Sequence, residues 1–569
     1  MNRIYSHFNY NKSLLKKDVL AGLTLLVMII PQGMAYALLA GVPPVMGLYA
    51  ATIPMLIYAL LGSSRHLSVG PVAITSLLVF TAVSTYAPTT TGEYVQYVML
   101  LAAMVGIIQI LLGLGRTGFI VKFIPQSVFS GYTSAVAIII GLSQLNHFLG
   151  VSSQGNLRVH AILFDLGSQW NRINGMTVLL GSLSLALILI VKKKWPRLPA
   201  PLLAIGVTIG AVVSFSLQNS GVAIVGKIPA GLPAFALPVI SVEMIMNLLP
   251  MAVVIALMGF MESLSIGRAI SKKEHYTVWP NQELKALGVA NLVGSFFQAF
   301  PVNGSFSRTA VNHEAGGKTK ASSVLTAVGV LLVLLFFTSL FYYLPNAVLA
   351  AIILSAVYKL VDIRQVKHLF GVRPLEGWVW VLTFFATLVV GIQWGIIIGA
   401  MFTLVFIIRQ SMKPHIAELG YLKEHGEFRD SRRFSEAQFF QNGMLVRIDS
   451  NIHFANYSYV EEHLRELAGK RPEIYWMVID MSGVNDMDTS SVEQLEDFLL
   501  QLETETGLCF HLANVKGSVR DMIVKAEWRK ELQQRVSYQS IEHILEQMSI
   551  QLPSFDKKQM AKGSNDFMI

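Results

Sequence analysis

The chain has 569 residues, 53% hydrophobic and only 14% charged, with 44 Lys and Arg against 35 Asp and Glu. So apolar a composition excludes an ordinary soluble protein, and the single cysteine, Cys509, excludes an internal disulfide framework and a cysteine-based zinc cluster. The net charge of +9 is unevenly divided: residues 1–412 carry 26 basic and 10 acidic residues, residues 413–569 carry 18 and 25.

The basic excess therefore lies between apolar segments, where it bears on membrane topology and not on nucleic-acid binding. Residues 1–18 form a short basic lead (Arg3, Lys12, Lys16, Lys17). No small-residue cleavage site follows it, so the first apolar run is expected to be a permanent span. Runs close to the roughly 20 residues that cross a bilayer fall near 19–39, 45–62, 95–114, 126–147, 174–191, 201–218, 245–266, 283–299, 321–343, 346–360, 376–391 and 393–411. Two shorter segments, near 71–85 and 305–315, bring the expected total to fourteen within a transmembrane domain at 19–412. Several runs abut, so hydropathy alone permits twelve to fourteen.

With the N-terminus inside, the outer loops hold only Arg158, Arg172 and Lys227, and Arg308 lies within a short segment. The other 22 of the 26 basic residues fall inside, among them Arg116, Lys122, Lys192–Lys194, Lys272, Lys273, Arg364, Lys367 and Arg373. This asymmetry predicts an even number of spans, with both termini on the cytoplasmic side of the plasma (inner) membrane.

After Lys413 the pattern becomes that of a soluble α/β unit. Strands are expected at Met444–Ile448, Trp476–Ile479 and Cys509–Ala513, an amphipathic helix at Ser491–Glu503 and a closing helix at Glu542–Ile550. The expected boundaries are a linker at 413–433, a folded domain at 434–548 and a polar tail at 549–569.

Two stretches stand out in the apolar part. Phe300-Pro-Val-Asn-Gly-Ser-Phe-Ser-Arg-Thr-Ala-Val-Asn-His313 begins as a loop, offers Ser305 as a helix cap and puts Arg308 in the first helical turn. Leu67-Ser-Val-Gly-Pro-Val-Ala-Ile-Thr-Ser76 has the same design, with Pro71 suited to a first helical position. Non-helical backbone at membrane depth is tolerated only where it is buried in protein or lines a polar cavity. Helices that start there aim free N–H groups and partial positive charge into that cavity. With Arg308 added, the fitting guest is an anion, and two such interrupted segments in corresponding halves of a chain mark a transporter site.

Glu262 is the one acid placed well inside an apolar run; the other acids of residues 1–412 sit at span ends or in loops. Intramembrane carboxylates are costly and usually functional, although a protonated glutamate tying two helices together is the plainer role. Gly259, Ser263 and Gly267 form a small-residue packing face beside it. Gln32, after Pro31, is an amide that must find a partner, and Tyr36 lies one turn later on the same face. Val72 and Ala73 offer backbone N–H groups, Ser305 and Ser307 offer hydroxyls, and Phe306 an apolar wall. His66, His147 and His313 share no ligand spacing and read as boundary or core residues. No nucleophile–base pair, phosphate loop or metal cluster is evident, so an enzyme is not expected.

Asp18-Val-Leu-Ala-Gly-Leu-Thr24, Ile30-Pro-Gln-Gly-Met-Ala-Tyr-Ala37, Gly47-Leu-Tyr-Ala50, Gly62-Ser-Ser-Arg-His-Leu-Ser-Val-Gly-Pro-Val-Ala73 and Phe300–His313 closely resemble the SulP family of anion transporters. Residues near 434–548 resemble its STAS domain, so the resemblance spans nearly the whole chain. It implies a polytopic α-helical membrane protein with fourteen spans in two inverted seven-span repeats. Spans 1–4 and 8–11 would form a core domain, spans 5–7 and 12–14 a gate domain, and the protein would be a homodimer with elevator-like movement. The anion would lie between the short helices of spans 3 and 10. Gln32, Tyr36, Val72, Ala73, Ser305, Phe306, Ser307 and Arg308 match substrate-binding positions, and Glu262 matches the ion-coupling acid of span 8. Sodium-using bicarbonate relatives can carry aspartate there, so glutamate leans toward H+ over Na+ as coupling ion. No cofactor beyond that ion is implied. Asp488-Thr-Ser-Ser491 resembles a STAS helix start whose second hydroxyl is phosphorylated, here Ser490; capping of the helix by Thr489 or Ser490 is the plainer role.

The resulting expectation is secondary active transport of a small inorganic or carboxylate anion, sulfate first, by proton-coupled symport. Sodium-coupled bicarbonate uptake, dicarboxylate transport and anion exchange stay open on the same fold. A STAS-based membrane regulatory or sensor protein, with a cytosolic partner, is the rival of another class. Arg308 argues against nucleobases. The expected partners are the anion, the lipid bilayer and a second copy of the chain, with no nucleic acid.

Overall fold

The computed structural model describes residues 12–550 apart from 87, 89, 120–124, 153–157 and 196–197. Arg3, Lys122 and the tail from residue 551 lie outside the described residues. The chain divides into two compact units at Thr403/Leu404.

The first unit is helical. In chain order it contains α1 (Lys12–Leu39), α2 (Pro44–Ala50), α3 (Ile53–Leu61), β1 (Val69–Gly70), α4 (Ala73–Ser84), α5 (Thr91–Leu114), α6 (Gln126–Leu149), α7 (Val159–Ser168), α8 (Gly175–Lys194) and α9 (Ala200–Phe215). There follow α10 (Val242–Lys273), α11 (Pro280–Ser295), β2 (Asn303–Gly304), α12 (Phe306–Glu314), α13 (Ala321–Phe336), α14 (Asn346–Val357), α15 (Ile363–Val372), α16 (Pro374–Val389) and α17 (Ile392–Met412), in which the division falls. Among the described residues, seven segments are long and apolar enough to cross a membrane: α1, α2 with α3, α5, α6, α8, α10 and α17.

Other spans are shorter than their apolar runs suggest. The run 201–218 ends as a helix at Phe215, where Ser216 turns left-handed (φ 49°), and continues as a 3-10 turn. The runs 321–343 and 346–360 likewise divide into an α-helix and a 3-10 turn. Apolarity marks what is buried or lipid-facing, whereas helix length is set by local backbone breaks.

Packing sorts these helices into two groups. In one, α11 lies along α5, α1 along α13, α3 against α11 and α13, and α10 against α5. In the other, α6 packs on α14 and α16, α14 on α8, and α8 on α9. Taking α2 with α3 as one span and leaving α7 and α15 as connecting helices, the groups are those expected for core and gate, and the order is consistent with fourteen spans.

Buried carboxylates at the ends of core helices are fully occupied. Asp18 accepts from Lys318 N (2.7 Å), Thr319 N (3.1 Å) and Thr319 Oγ1 (2.6 Å), tying α1 to the start of α13. Glu283 accepts from the Tyr58 hydroxyl (2.5 Å), from Ser63 N and Oγ (2.6 Å each) and from Ser64 N (3.2 Å). Buried charge is tolerated when every lone pair finds a donor, and these two acids are structural anchors.

The second unit has a five-stranded sheet with order β4-β3-β5-β6-β7. Its strands are β3 (Ile416–Leu422), β4 (Glu427–Asp430), β5 (Gly443–Ile448), β6 (Trp476–Asp480) and β7 (Cys509–Ala513), and its helices α18 (Tyr457–Lys470), α19 (Thr489–Thr506), α20 (Gly517–Lys525), α21 (Lys530–Gln533) and α22 (Ile541–Gln547). β5, β6 and β7 run parallel, while β3 is antiparallel to both neighbours. Alternation decides the faces: Met444, Val446, Ile448, Met477 and Ile479 pack with residues of α18 and α19, whereas Leu445, Trp476 and Val478 pack with α22. The stretch 413–433, expected as a linker, carries β3 and β4. Ala417 and Leu419 belong to the buried core, so the sheet begins at Ile416.

Candidate functional site

The site is built where the two interrupted segments meet. Val69 pairs with Gly304 and Gly70 with Asn303 in a two-residue antiparallel ribbon. Ser305 N donates to Ser68 O (3.0 Å) and extends it. The ribbon satisfies backbone that would otherwise be stranded at membrane depth, and brings together the N-termini of α4 and α12. Val72 is the N-cap of α4 and Ala73 its first residue, both buried. Ser305 caps α12, its hydroxyl accepting from Arg308 N at 3.5 Å.

Arg308 is completely buried. Its Nη1 donates to Pro71 O (2.8 Å) and its Nε to Ser68 Oγ (3.4 Å), so the cation from one segment grips the backbone of the other. Nη2 has no hydrogen-bond partner. Gly70 lies beside it, and a Cβ there would stand 3.3 Å from Nη2. An unpartnered guanidinium nitrogen in a buried setting is costly, and chemically it suits an oxygen acceptor.

Glu262 is half-buried on α10. It is within electrostatic reach of Arg308 and Tyr36, but the guanidinium bonds go elsewhere. Its neighbour Ser263 accepts the Gly304 N–H (2.8 Å), anchoring the ribbon to α10. Gly259, one turn earlier, abuts Asn303 so closely that any Cβ would overlap that side chain. Gly267 is less crowded, a Cβ there meeting Val278 at 3.6 Å. Gln32 and Tyr36 are buried on α1, and the Gln32 Oε1 has no partner. Ser307 is exposed with its hydroxyl 3.3 Å from that of Ser305. Phe306, expected as an apolar wall, is 64% exposed and leaves the packed interior.

Several residues escaped sequence reasoning. Asn303 donates to Thr75 Oγ1 (2.5 Å), its Oδ1 unpartnered, and the buried Ser76 Oγ is unpartnered too. Tyr132 on α6 is completely buried, with an unpartnered hydroxyl within electrostatic reach of Glu262. Asn303 was visible only as a turn former, and an aromatic in an apolar helix carries no signal of its own. His66 is buried and His147 and His313 are half-buried, in keeping with core or boundary positions, but two of them meet. His66 and His313, far apart in sequence, bring their rings within 5.5 Å. His66 Nδ1 lies 3.1 Å from the Tyr276 hydroxyl, and Glu274 holds His313 (2.8 Å) and Lys318 (2.9 Å). These residues connect the ends of α10 and α12 to the segment before β1. Burial lowers the His66 imidazole to about 4, while bonds from Lys318 and His313 bring Glu274 to about 2. No metal-holding group of three or more His, Cys, Asp or Glu occurs among the described residues.

In the second unit, Ser490 lies exposed in the first turn of α19. The cap there is neither Thr489 nor Ser490 but Asp488, which accepts from Ser491 N (2.9 Å) and Phe454 N (2.7 Å). A carboxylate accepts the first-turn N–H groups as an ion and gains from the helix dipole, so it outcompetes the neighbouring hydroxyls.

Comparison with known proteins now identifies the assembly. Residues 15–383 match the model of the sulfate permease family, and residues 435–542 that of the STAS domain. Sulfate transporter 4.1, chloroplastic, of Arabidopsis thaliana is 38% identical over 507 residues, covering 86% of this chain and 74% of its own. A probable sulfate transporter of Mycobacterium tuberculosis is 32% identical over 521 residues, covering 90% and 92%. The fold is that of the murine anion transporter Slc26a9, at TM-score 0.86 and 24% identity over 95% of this chain and 92% of the other. The transmembrane domain of the cyanobacterial bicarbonate transporter BicA aligns at TM-score 0.59 and 24% identity, covering 70% and 98%. The family match over residues 15–383, the STAS match that follows it and the similarity to these relatives place the chain in the sulfate permease family, whose members are membrane anion transporters and not enzymes.

Proposed function

We propose that the protein carries sulfate across the plasma membrane by proton-coupled symport, as a homodimer with both termini in the cytoplasm. The observation that carries this reading is Arg308: a buried guanidinium with one unpartnered nitrogen, set where two helix N-termini converge. The relatives named as sulfate transporters support sulfate as the anion. Gln32, Tyr36, Ser305, Ser307 and the N–H groups near Val72 and Ala73 complete the anion site, and Phe306 borders it. The lopsided distribution of basic residues supports the orientation.

Glu262 carries the proton. Sulfate offsets the Arg308 charge, so anion and proton favour each other's binding, and linkage makes the effect reciprocal. Loaded with both, the core moves past the gate and releases them inside. Uptake of labelled sulfate, bicarbonate and small dicarboxylates into proteoliposomes, with proton and sodium gradients imposed separately, tests the reading. Sulfate uptake that follows the proton gradient is expected. Uptake that follows sodium alone moves the protein to the bicarbonate-type mechanism, and exchange without either gradient makes it an antiporter. Absence of flux together with anion-dependent binding of a cytosolic protein to the STAS domain would make it a sensor.

A further inference from the structure

The candidate site described above is drawn almost wholly from core helices, yet one buried polar group of the gate lies within electrostatic reach of its acid. Tyr132 lies in α6, whose serines fix that helix within its own bundle. Ser130 Oγ donates to Gln365 Oε1 (2.7 Å) and accepts from Trp380 Nε1 (3.2 Å), and Ser134 Oγ donates to Leu360 O (3.2 Å). Gly131 faces the Trp380 backbone so closely that a Cβ would overlap it. At 3.6 residues per turn, Tyr132 stands roughly opposite Ser130 and Ser134, on the face shared with Val128 and Val136, which are also fully buried. α6 packs on α4, and α4 packs on α10, which carries Glu262.

The Tyr132 side chain is inaccessible and its hydroxyl has no hydrogen-bond partner. Phenylalanine would fill this apolar surrounding without stranding a donor, and a buried unmade hydrogen bond is expensive. The ionisable group within electrostatic reach of the hydroxyl is Glu262. Glu262 itself is within electrostatic reach of Arg308 on α12, Tyr36 on α1 and Tyr132 on α6. Arg308 already spends two of its nitrogens on Pro71 and Ser68.

We propose that Tyr132 is a positioning residue for transport: from the gate it donates a hydrogen bond to the ionised Glu262 carboxylate and so determines at which stage of the cycle the proton is exchanged. The proposal rests on Glu262 as proton carrier. Because donor and acceptor stand on different helix groups, relative movement makes and breaks the bond. The ionised carboxylate is held where the two groups meet, and proton loading releases it, since a neutral carboxyl accepts the phenol hydrogen bond more weakly.

Tyr132→Phe removes only the hydroxyl. In proteoliposomes, its proton-driven sulfate uptake should have a half-maximal pH displaced upward by about one to two units, the worth of one hydrogen bond to a charged group. Sulfate affinity at acid pH should be unchanged. In a Glu262→Gln background the added Tyr132→Phe change should have no effect on the pH profile or on exchange. An unshifted profile in the folded single variant overturns the proposal. So does a loss of sulfate affinity of equal size in both backgrounds, which would make Tyr132 an anion contact. Persistence of acid-stimulated uptake in Glu262→Gln alone would instead refute Glu262 as carrier. Thermal melting and Tyr132→Leu, which also removes the ring, separate loss of packing from loss of the hydroxyl.

Discussion

Replacing Arg308 by alanine removes two different things, and the structure separates them. The first is a structural tie: the Nη1 bond to Pro71 O at 2.8 Å and the weaker Nε contact to Ser68. Leaving the buried Pro71 carbonyl without its donor costs about 1–3 kcal/mol of stability. The second is the free Nη2, with the positive charge it brings to the cradle. If an anion oxygen completes that nitrogen, loss of one charge-assisted bond weakens binding by about 1.5–3 kcal/mol, or roughly 10- to 150-fold. Two assays on detergent-purified protein distinguish these losses. A melting curve without sulfate reads the structural tie. The further shift that sulfate produces reads binding, since a ligand at 100 times its Kd stabilises the folded state by about 2.7 kcal/mol. Wild type should show both the higher base stability and the sulfate shift. Arg308→Ala should melt lower and lose most of the shift, and Arg308→Lys should recover only part of it, because an ammonium lacks the planar fork. An Arg308→Ala protein that melts lower yet shows the full sulfate shift would refute the argument and make Arg308 purely structural.

Glu262→Gln, which imitates the protonated acid, should retain sulfate binding and exchange while losing acid-stimulated uptake; loss of a sodium-dependent component instead would point to a carboxylate that binds the cation. Glu283→Gln should lower stability by at least about 2 kcal/mol, since part of a carboxylate accepting four hydrogen bonds becomes a donor, with unchanged sulfate affinity in the protein that folds. His66 lies between α3 and β1, outside the spans. Its folded value of about 4 lies below the ordinary 6.5, so its neutral burial stabilises the fold fully above pH 6.5 and loses that contribution as pH falls toward 4. Melting temperature should drop across that window by up to about 3 kcal/mol in stability terms, and His66→Gln should flatten the profile. A STAS fragment beginning at residue 413 should melt well above one beginning at 434, because the latter lacks the β3 partner of β5 and the buried Ala417 and Leu419.

The legible part of this protein was whatever depends on local composition and spacing. Apolar runs, the bias of lysine and arginine, the Gly-Pro and Asn-Gly breaks, and a lone acid at Glu262 are each visible within a short window of chain. Those sufficed for a membrane anion transporter and for the two broken segments that pair in the fold, and alternation sufficed for β5, β6 and β7. The rest required residues distant in sequence to meet. Nothing near Arg308 announces that its bonds go to Ser68 and Pro71, leaving Nη2 alone. Asp18 and Glu283 read as ordinary acids at span ends until their donors arrive from residues 318–319 and from Tyr58 and residues 63–64. His66 and His313 have no spacing that predicts ring contact, and Tyr132 is one aromatic among many. A hydrogen bond is decided by which atoms the fold places within about 3 Å, and only the tertiary structure supplies that placement.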